Sequence, residues 1–341
     1  MKSNILPLIV ADKAIPFLDH RFDGVCNLRR LAPADIDAQA VGDADALLVR
    51  TRTRCDARLL DGSKVEYLAT ATIGTDHFDI PYLDAKGIDW RNAPGCNAPA
   101  VAQYVWRALY ELGFDPKTQT LGLVGKGNIG RVVAEWGRRL GCRVIVSDPP
   151  RQEQGLTDED YLPLDRLMAE ADAVTFHTPL TRHESGVAHP TFHLASEEAL
   201  GKLRDGAILI NAARGGVVDE AALRRLKGEK SLRVALDTWE GEPTISPESL
   251  QMADIATFHI AGYSRQGKER ATYACLEGLE RHFNIELPKS DLTGPYTPPA
   301  RLDRETIIES YDIMADDAMM RAEPEAFERL RDTYHLREEI I

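Results

Sequence analysis

Four short segments concentrate side chains that can do chemistry: Phe176-His177-Thr178-Pro179-Leu180, Asn211-Ala212-Ala213-Arg214-Gly215, Asp237-Thr238-Trp239-Glu240-Gly241-Glu242-Pro243 and His259-Ile260-Ala261-Gly262-Tyr263. Each follows a predicted strand, and ligands of open α/β sheets bind at the carboxyl ends of strands. Together they offer an imidazole that exchanges protons near neutral pH, carboxylates, and a guanidinium whose fork matches a carboxylate. A single histidine near a strand end is usually structural, so the weight falls on the ordered set. His183, His189 and His193 are different: they fall in a predicted loop, Pro190 spoils any helical ligand spacing, and no metal site is expected there.

A fifth segment has its own logic. Gly125-Lys126-Gly127-Asn128-Ile129-Gly130 follows a predicted strand (Thr120–Val124) and opens a predicted helix, and Asp148 ends the next strand. In that context Gly125 permits the tight turn, Gly127 lets backbone approach a pyrophosphate, and Gly130 lets helix and strand pack closely. The helix N-terminus, with Asn128 and Ile129 in its first turn, offers unpaired N–H groups and a favourable dipole to phosphates. Asp148 can accept from both ribose hydroxyls and would repel a 2′-phosphate, so NAD is favoured over NADP. Arg151, three residues on, weakens that preference, and Lys126 inside the turn either adds a charge near the pyrophosphate or, as expected, points to solvent.

The elements that must carry these groups are short apolar runs alternating with amphipathic stretches, which reads as α/β with parallel sheets. Further strands are predicted at Leu6–Val10, Ala46–Val49, Val65–Ala69, Arg143–Ser147, Ala173–Phe176, Ala207–Asn211, Arg233–Leu236 and Ile255–Thr257. Helices are predicted at Pro81–Lys86, Ala98–Leu112 with Asn97 as its cap, Pro163–Ala171, Ser196–Leu203, Glu220–Lys227 and Gln266–Phe283, the last leading back toward the first domain. A Pro- and Gly-rich linker over 287–299 precedes two expected amphipathic helices, Glu305–Met320 and Pro324–Arg337. Their apolar residues Ile307, Ile308, Tyr311, Phe327, Leu330 and Tyr334 need a partner surface, and an oligomer contact is the economical reading. Deleting 300–341 is then expected to leave monomers with exposed apolar surface.

Composition sets the outer limits. The 341 residues suit two domains and an appendage. A formal charge of −13 disfavours nucleic acid or anionic lipid as partners. No apolar run approaches the roughly 20 residues of a membrane helix, and Met1–Pro7 lacks the apolar core of a signal peptide. Five dispersed cysteines with no C-x-x-C pair argue against a disulfide framework. The expected location is the cytoplasm.

From about Leu47 to Lys268, the cofactor turn, the Arg214-Gly215 segment, the Asp237 to Pro243 segment and the late histidine together resemble the D-2-hydroxyacid dehydrogenase family. The resemblance implies two Rossmann-like or flavodoxin-like lobes with parallel sheets and a cleft between them. It implies a split catalytic domain (1–97 and 284–299), an NAD-binding Rossmann domain (98–283), and a short C-terminal helical dimerisation element (300–341) making a homodimer. It also implies that His259 takes the hydroxyl proton as hydride leaves the same carbon. Glu242 then orients the imidazole and favours its protonated form, and Arg214 grips the substrate carboxylate and the oxygen being oxidised. Asp237, Thr178 and Gly262 are placed at the cofactor.

Within the family, Ala46–Thr51, Thr70–His77, Ala93–Ala98, Asp148–Arg151 and His259–Ser264 are most similar to the branch that oxidises 4-phospho-D-erythronate on the route to pyridoxal 5′-phosphate, and the tail residues Tyr311, Asp316, Phe327, Arg331 and Tyr334 agree. That branch implies substrate contacts from Arg50, Thr51, Thr72 and Tyr263, with Arg337 of a neighbouring subunit completing a phosphate site. Arg50, Arg52 and Arg54 are expected to share one face of an extended segment; for Arg52 and Arg54 a solvated basic edge is an equal reading. The alternatives are sibling enzymes acting on 3-phosphoglycerate, glycerate or lactate, and an NAD-sensing co-repressor of the same fold.

Overall fold

The computed structural model describes residues 6–156 and 160–341. The stretch Met1–Ile5, read above for a leader, lies outside the described residues. The chain divides into two compact units: the first runs up to Asn97 and resumes over Arg265–Tyr296, and the second comprises Ala98–Ser264 with Thr297–Ile341.

In the first unit five strands, β1 (Leu8–Asp12), β2 (Asn27–Leu31), β3 (Ala46–Val49), β4 (Tyr67–Thr70) and β5 (Asp89–Arg91), form one parallel sheet in the order β2-β1-β3-β4-β5. Successive side chains of a strand point to opposite faces. Accordingly Ile9, Ala11, Ala46, Leu48, Tyr67 and Ala69 enter one apolar cluster while Val10, Leu47, Val49 and Leu68 enter another. The helix Arg265–Phe283, expected in the cofactor domain, belongs to this unit instead: Ala271, Cys275, Leu276 and Leu279 pack into the first cluster. Close approach requires Gly278, because a Cβ there would sit 1.8 Å from the Tyr67 hydroxyl oxygen. The unanticipated strands β2 and β5 are edge strands with the sequences Asn-Leu-Arg-Arg-Leu and Asp-Trp-Arg. Polar edges of this kind resist unwanted pairing and leave no apolar run to read.

In the second unit β6 (Thr120–Val124), β7 (Arg143–Ser147), β8 (Asp160–Tyr161), β9 (Ala173–Phe176), β10 (Ile208–Asn211), β11 (Arg233–Leu236) and β12 (Ile255–Ala256) make a parallel sheet in the order β12-β11-β10-β9-β6-β7-β8. The order reverses at β6, the switch point where such sheets bind nucleotides. The helix Ala98–Glu111 is buried on every side up to Tyr110. Asn97 does not cap it, since its Oδ1 is buried without a hydrogen-bond partner among the described residues.

The tail differs from expectation in two ways. One predicted helix is split into Arg304–Ser310 and Ile313–Ala322, because Asp312 caps the second by accepting from the Met314 and Ala315 N–H groups. The other, expected to reach Arg337, is the short Phe327–Asp332. More important, the partner surface of this segment is the unit's own core. Ile307 and Ile313 are fully buried, Met320, Phe327 and Leu330 join the cluster of Val124 and Phe258, and Tyr311 is buried as well, leaving Ile308 exposed. Among the described residues no helix is long and apolar enough to cross a membrane.

Candidate active site

His259 and Glu242 meet through one hydrogen bond, Nδ1 to Oε1 at 2.7 Å. Glu242 follows β11 on the turn after Leu236, and its other oxygen accepts the Trp239 N–H at 3.2 Å. Trp239 is itself fixed, donating its indole N–H to the Thr257 carbonyl at 2.7 Å. Burial opposes ionisation of Glu242. The hydrogen bond and charge of His259, the Trp239 N–H and the Arg331 guanidinium outweigh it and hold the carboxyl below the usual range. His259 stands just past β12 at φ +59, a left-handed conformation uncommon outside glycine. Its Nδ1 is committed to Glu242, so Nε2 is the nitrogen left for a reacting proton.

The loop carrying His259 is organised by Asp237, which is 1% exposed. Its Oδ1 accepts from the Thr257 hydroxyl (2.7 Å) and the Ile260 N–H (2.8 Å), its Oδ2 from the Ala261 N–H (2.9 Å), and its carbonyl from the His259 N–H (2.8 Å). Asp237, expected at the nicotinamide, is thus turned into its own loop, and Gly262 lies half-buried in the same loop.

Arg214 follows β10. Asn211 shapes that turn, donating to the Arg214 carbonyl (2.9 Å) and accepting the Ala213 N–H (3.1 Å), while the Arg214 guanidinium donates to the Ala213 carbonyl (2.8 Å). The next residue locks this turn to the Glu242 loop: a Cβ on Gly215 would lie 1.9 Å from the Trp239 carbonyl oxygen. Gly215→Ala must therefore push the two loops apart. A displacement near 1 Å costs about 100-fold in rate, and that loss of kcat, with NAD affinity retained, is the expected steady-state result.

The glycine turn has the geometry its spacing predicts. Gly125 takes φ +87, and a Cβ on Gly130 would lie 2.2 Å from the Gly125 carbonyl oxygen, whereas a Cβ on Gly127 would meet nothing within 4 Å. That open approach sits at the start of the helix Asn128–Arg139, whose cap residue Gly127 supplies no side-chain hydrogen bond, with Asn128 exposed and Ile129 half-buried. Asp148 accepts the Lys126 N–H at Oδ2 (2.7 Å) and the Arg151 N–H at Oδ1 (3.1 Å), which aims its carboxylate at the turn. The Thr178 hydroxyl, after β9, is buried without a partner among the described residues. A dinucleotide fits these donors and this space. Lys126 departs from expectation: it is 2% exposed, buried rather than solvated.

The chain as a whole is similar to known proteins. Residues 91–261 match the model of the D-isomer specific 2-hydroxyacid dehydrogenase NAD-binding domain. The chain belongs to that family. It is 42% identical to an erythronate-4-phosphate dehydrogenase of Pseudomonas paraeruginosa over 97% of this chain and 93% of that one. The corresponding Bacteroides fragilis protein is 39% identical, with 97% of each chain covered. Among solved structures, the TT0316 protein of Thermus thermophilus superposes with a TM-score of 0.67 at 26% identity, over 82% of this chain and 98% of that one. A D-lactate dehydrogenase of Aquifex aeolicus, solved with NAD and lactic acid, gives a TM-score of 0.61 at 23% identity, over 85% of this chain and all of that one. The chain is an NAD-dependent oxidoreductase of small hydroxy acids, and Rossmann-type architecture is shared with these neighbours.

The first unit holds its own expected residues. Arg50, Thr51 and Thr72 follow the adjacent strands β3 and β4. Residues 51–53 form a turn, so Arg50, Arg52 and Arg54 do not alternate along a strand. Arg54 instead pairs with Asp56 (3.6 Å) and donates to the Asp76 carbonyl (3.2 Å). Arg50 donates to the Ala14 carbonyl at 3.4 Å, and its Nε is buried without a partner among the described residues. The Thr72 hydroxyl is directed by a chain in which Thr70 lies 2.7 Å away and His77 Nε2 lies 3.2 Å beyond it.

His77 is held down to about 4 by burial, with Asp76 opposing and Arg54 adding to it, and His177 to about 3 by burial alone. Both lie below the unfolded value near 6.5, so the unfolded chain takes up these protons first as pH falls. The stability they carry is complete above about pH 6.5 and is lost toward pH 4 and below. The urea midpoint should therefore drop between pH 7 and pH 4.5 and drop less in His77→Gln.

His189 pairs with Glu153 (2.7 Å) and His193 with Glu240 (3.0 Å), two separate carboxylates. Arg337 is where the structure departs furthest from expectation. It is 8% exposed and donates to the carbonyls of Ile260 (2.9 Å), Ala100 (3.1 Å) and Ala261 of its own unit. A guanidinium committed to three internal carbonyls does not reach into a neighbouring subunit. The sequence gives no sign of what Asn211 and Trp239 do within their segments, nor of Glu220, which accepts the Glu240 N–H at 2.6 Å. Their roles run through backbone groups, which leave no signature in residue type.

Proposed function

We propose that the chain oxidises 4-phospho-D-erythronate at C2 to (R)-3-hydroxy-2-oxo-4-phosphooxybutanoate, a step toward pyridoxal 5′-phosphate. The 2.7 Å His259–Glu242 bond at the strand ends of the second unit carries the chemistry. The choice of substrate is supported by relatives of that name aligned over 97% of the chain.

Bound NAD supplies the hydride acceptor. His259 Nε2 removes the hydroxyl proton as the C2–H bond breaks and the carbonyl forms, so His259 starts neutral and ends as imidazolium. Ionised Glu242 stabilises that charge and fixes the ring through Nδ1. Arg214 grips the substrate carboxylate and the developing carbonyl oxygen with its fork, which a lysine lacks. Gly125, Gly127, Asn128, Ile129 and Gly130 receive the pyrophosphate, and Asp148 the ribose hydroxyls. Thr178 and Gly262 line the cofactor, and Asp237 acts by holding the His259 loop. Arg50, Thr51 and Thr72, with Tyr263, are assigned to the substrate and its phosphate.

Steady-state comparison of 4-phosphoerythronate, 3-phosphoglycerate and lactate tests the substrate. A kcat/KM at least 100-fold higher for 4-phosphoerythronate is expected; equal or better turnover of lactate would sink the phosphate assignment. The same proposal includes a homodimer through the C-terminal segment, where Ile308, Met314 and Met319 stay exposed. A single monomeric species in sedimentation at micromolar concentration would remove it. A cytoplasmic location is supported by five free cysteines, and cell fractionation tests it.

A further inference from the structure

We propose that Arg337 is a positioning residue for catalysis, holding the His259 loop in cis, so that the C-terminal segment is part of the active site's own framework. This rests on the hydride-transfer reading above. Residues 259–261 are pinned from both sides. Asp237 collects the Ile260 and Ala261 N–H groups at 2.8 and 2.9 Å. Arg337 collects the carbonyls of the same two residues, Nη1 to Ile260 at 2.9 Å and Nη2 to Ala261, and ties them to the Ala100 carbonyl at 3.1 Å.

The guanidinium is itself fixed from behind. It lies 4.6 Å over the Tyr311 ring, and Asp316 accepts the hydroxyls of Tyr311 (2.5 Å) and Tyr334 (2.9 Å). A parallel bridge joins Ser264 to Arg337, and the buried Ser264 hydroxyl donates to Glu339 at 2.6 Å. The tail thus runs alongside the loop that ends in Ser264.

This clamp accounts for the backbone of His259. A non-glycine residue at φ +59 persists only where its surroundings over-determine it. Asp237 alone restrains one edge of the following peptides. Arg337 restrains the other, and its planar fork spans two consecutive carbonyls as a lysine ammonium cannot. Without it the loop relaxes toward a commoner conformation and carries Nε2 off line, while the glycine turn that binds NAD is untouched.

The test uses the full-length protein with Arg337→Ala and Arg337→Lys, assayed with 4-phosphoerythronate and NAD. For a misplacement near 1 Å, Arg337→Ala should lose about 100-fold in kcat. KM and NAD affinity by fluorescence titration should change far less than kcat, Gly262 being the one cofactor-lining residue that follows the loop, and the acidic limb of the kcat–pH profile should shift. Millimolar ethylguanidinium should restore part of the lost turnover, and Arg337→Lys should recover less than about a tenth of it. Wild-type kcat and pH profile in Arg337→Lys overturns the proposal. So does a loss of turnover that merely tracks loss of NAD binding and of folded protein. If Arg337→Ala does not fold, the Lys variant decides by the same criteria; if neither folds, the residue is a folding element only and the proposal falls. Retained activity in His259→Ala would instead overturn the hydride-transfer reading itself, so the two failures are distinguishable.

Discussion

His259→Ala is expected to reduce kcat about 1,000-fold, because general acid–base catalysis by a positioned side chain contributes roughly 10²–10⁴. The substitution removes the proton acceptor and leaves Glu242 with one of its charge partners gone. NAD titration should be nearly unchanged, since the Gly125–Gly130 turn and Asp148 do not touch the imidazole. Glu242→Gln should be milder: an amide still accepts at Oε1 but no longer stabilises the imidazolium. Single-turnover rates measure both, and activity in His259→Ala within 10-fold of wild type removes His259 from the mechanism.

Deletion of residues 300–341 is expected to abolish cooperative folding of the second unit rather than yield a tidy monomer. Ile307, Ile313, Met320, Phe327 and Leu330 are all buried in that unit. Five such side chains at ~1.5–3 kcal/mol each represent about 10 kcal/mol of transfer free energy, comparable to the whole stability of a domain. The deletion also strips β12 of its edge partner, because Asp317 accepts the Ala256 N–H at 2.7 Å while Arg321 donates to the Ala253 carbonyl, also at 2.7 Å. Urea unfolding followed by tryptophan fluorescence should show a broad or absent transition. A sharp, wild-type-like transition in a monomeric product would show that the segment serves assembly alone.

What was legible followed from periodicity and from glycine. The buried strands β3, β6, β7, β9 and β11 have the ends their apolar runs predict, since a parallel strand covered on both faces must be apolar throughout. The turn from Gly125 to Gly130 was legible because each glycine answers a separate steric demand, whereas the use of Asp148 to accept the Lys126 and Arg151 N–H groups was not. The edge strands β2 and β5 were not legible, being polar and half solvated. The break at Tyr311-Asp312 was hidden too, because an aspartate inside an amphipathic pattern reads as exposed helix until its carboxylate is seen capping the next turn.

From residue types and their order alone came the parallel α/β class, the cofactor turn, and the strand-end segments that hold Arg214, Glu242 and His259, because apolar runs, glycine sterics and side-chain chemistry are local properties; the roles of those three residues came from the family resemblance. Tertiary structure alone decided that Lys126 is buried, that the Arg265–Phe283 helix packs on the first unit's sheet, and that Arg337 grips the backbone beside His259. Those outcomes depend on which carbonyls and apolar faces meet from distant parts of the chain. No residue carries that information by itself.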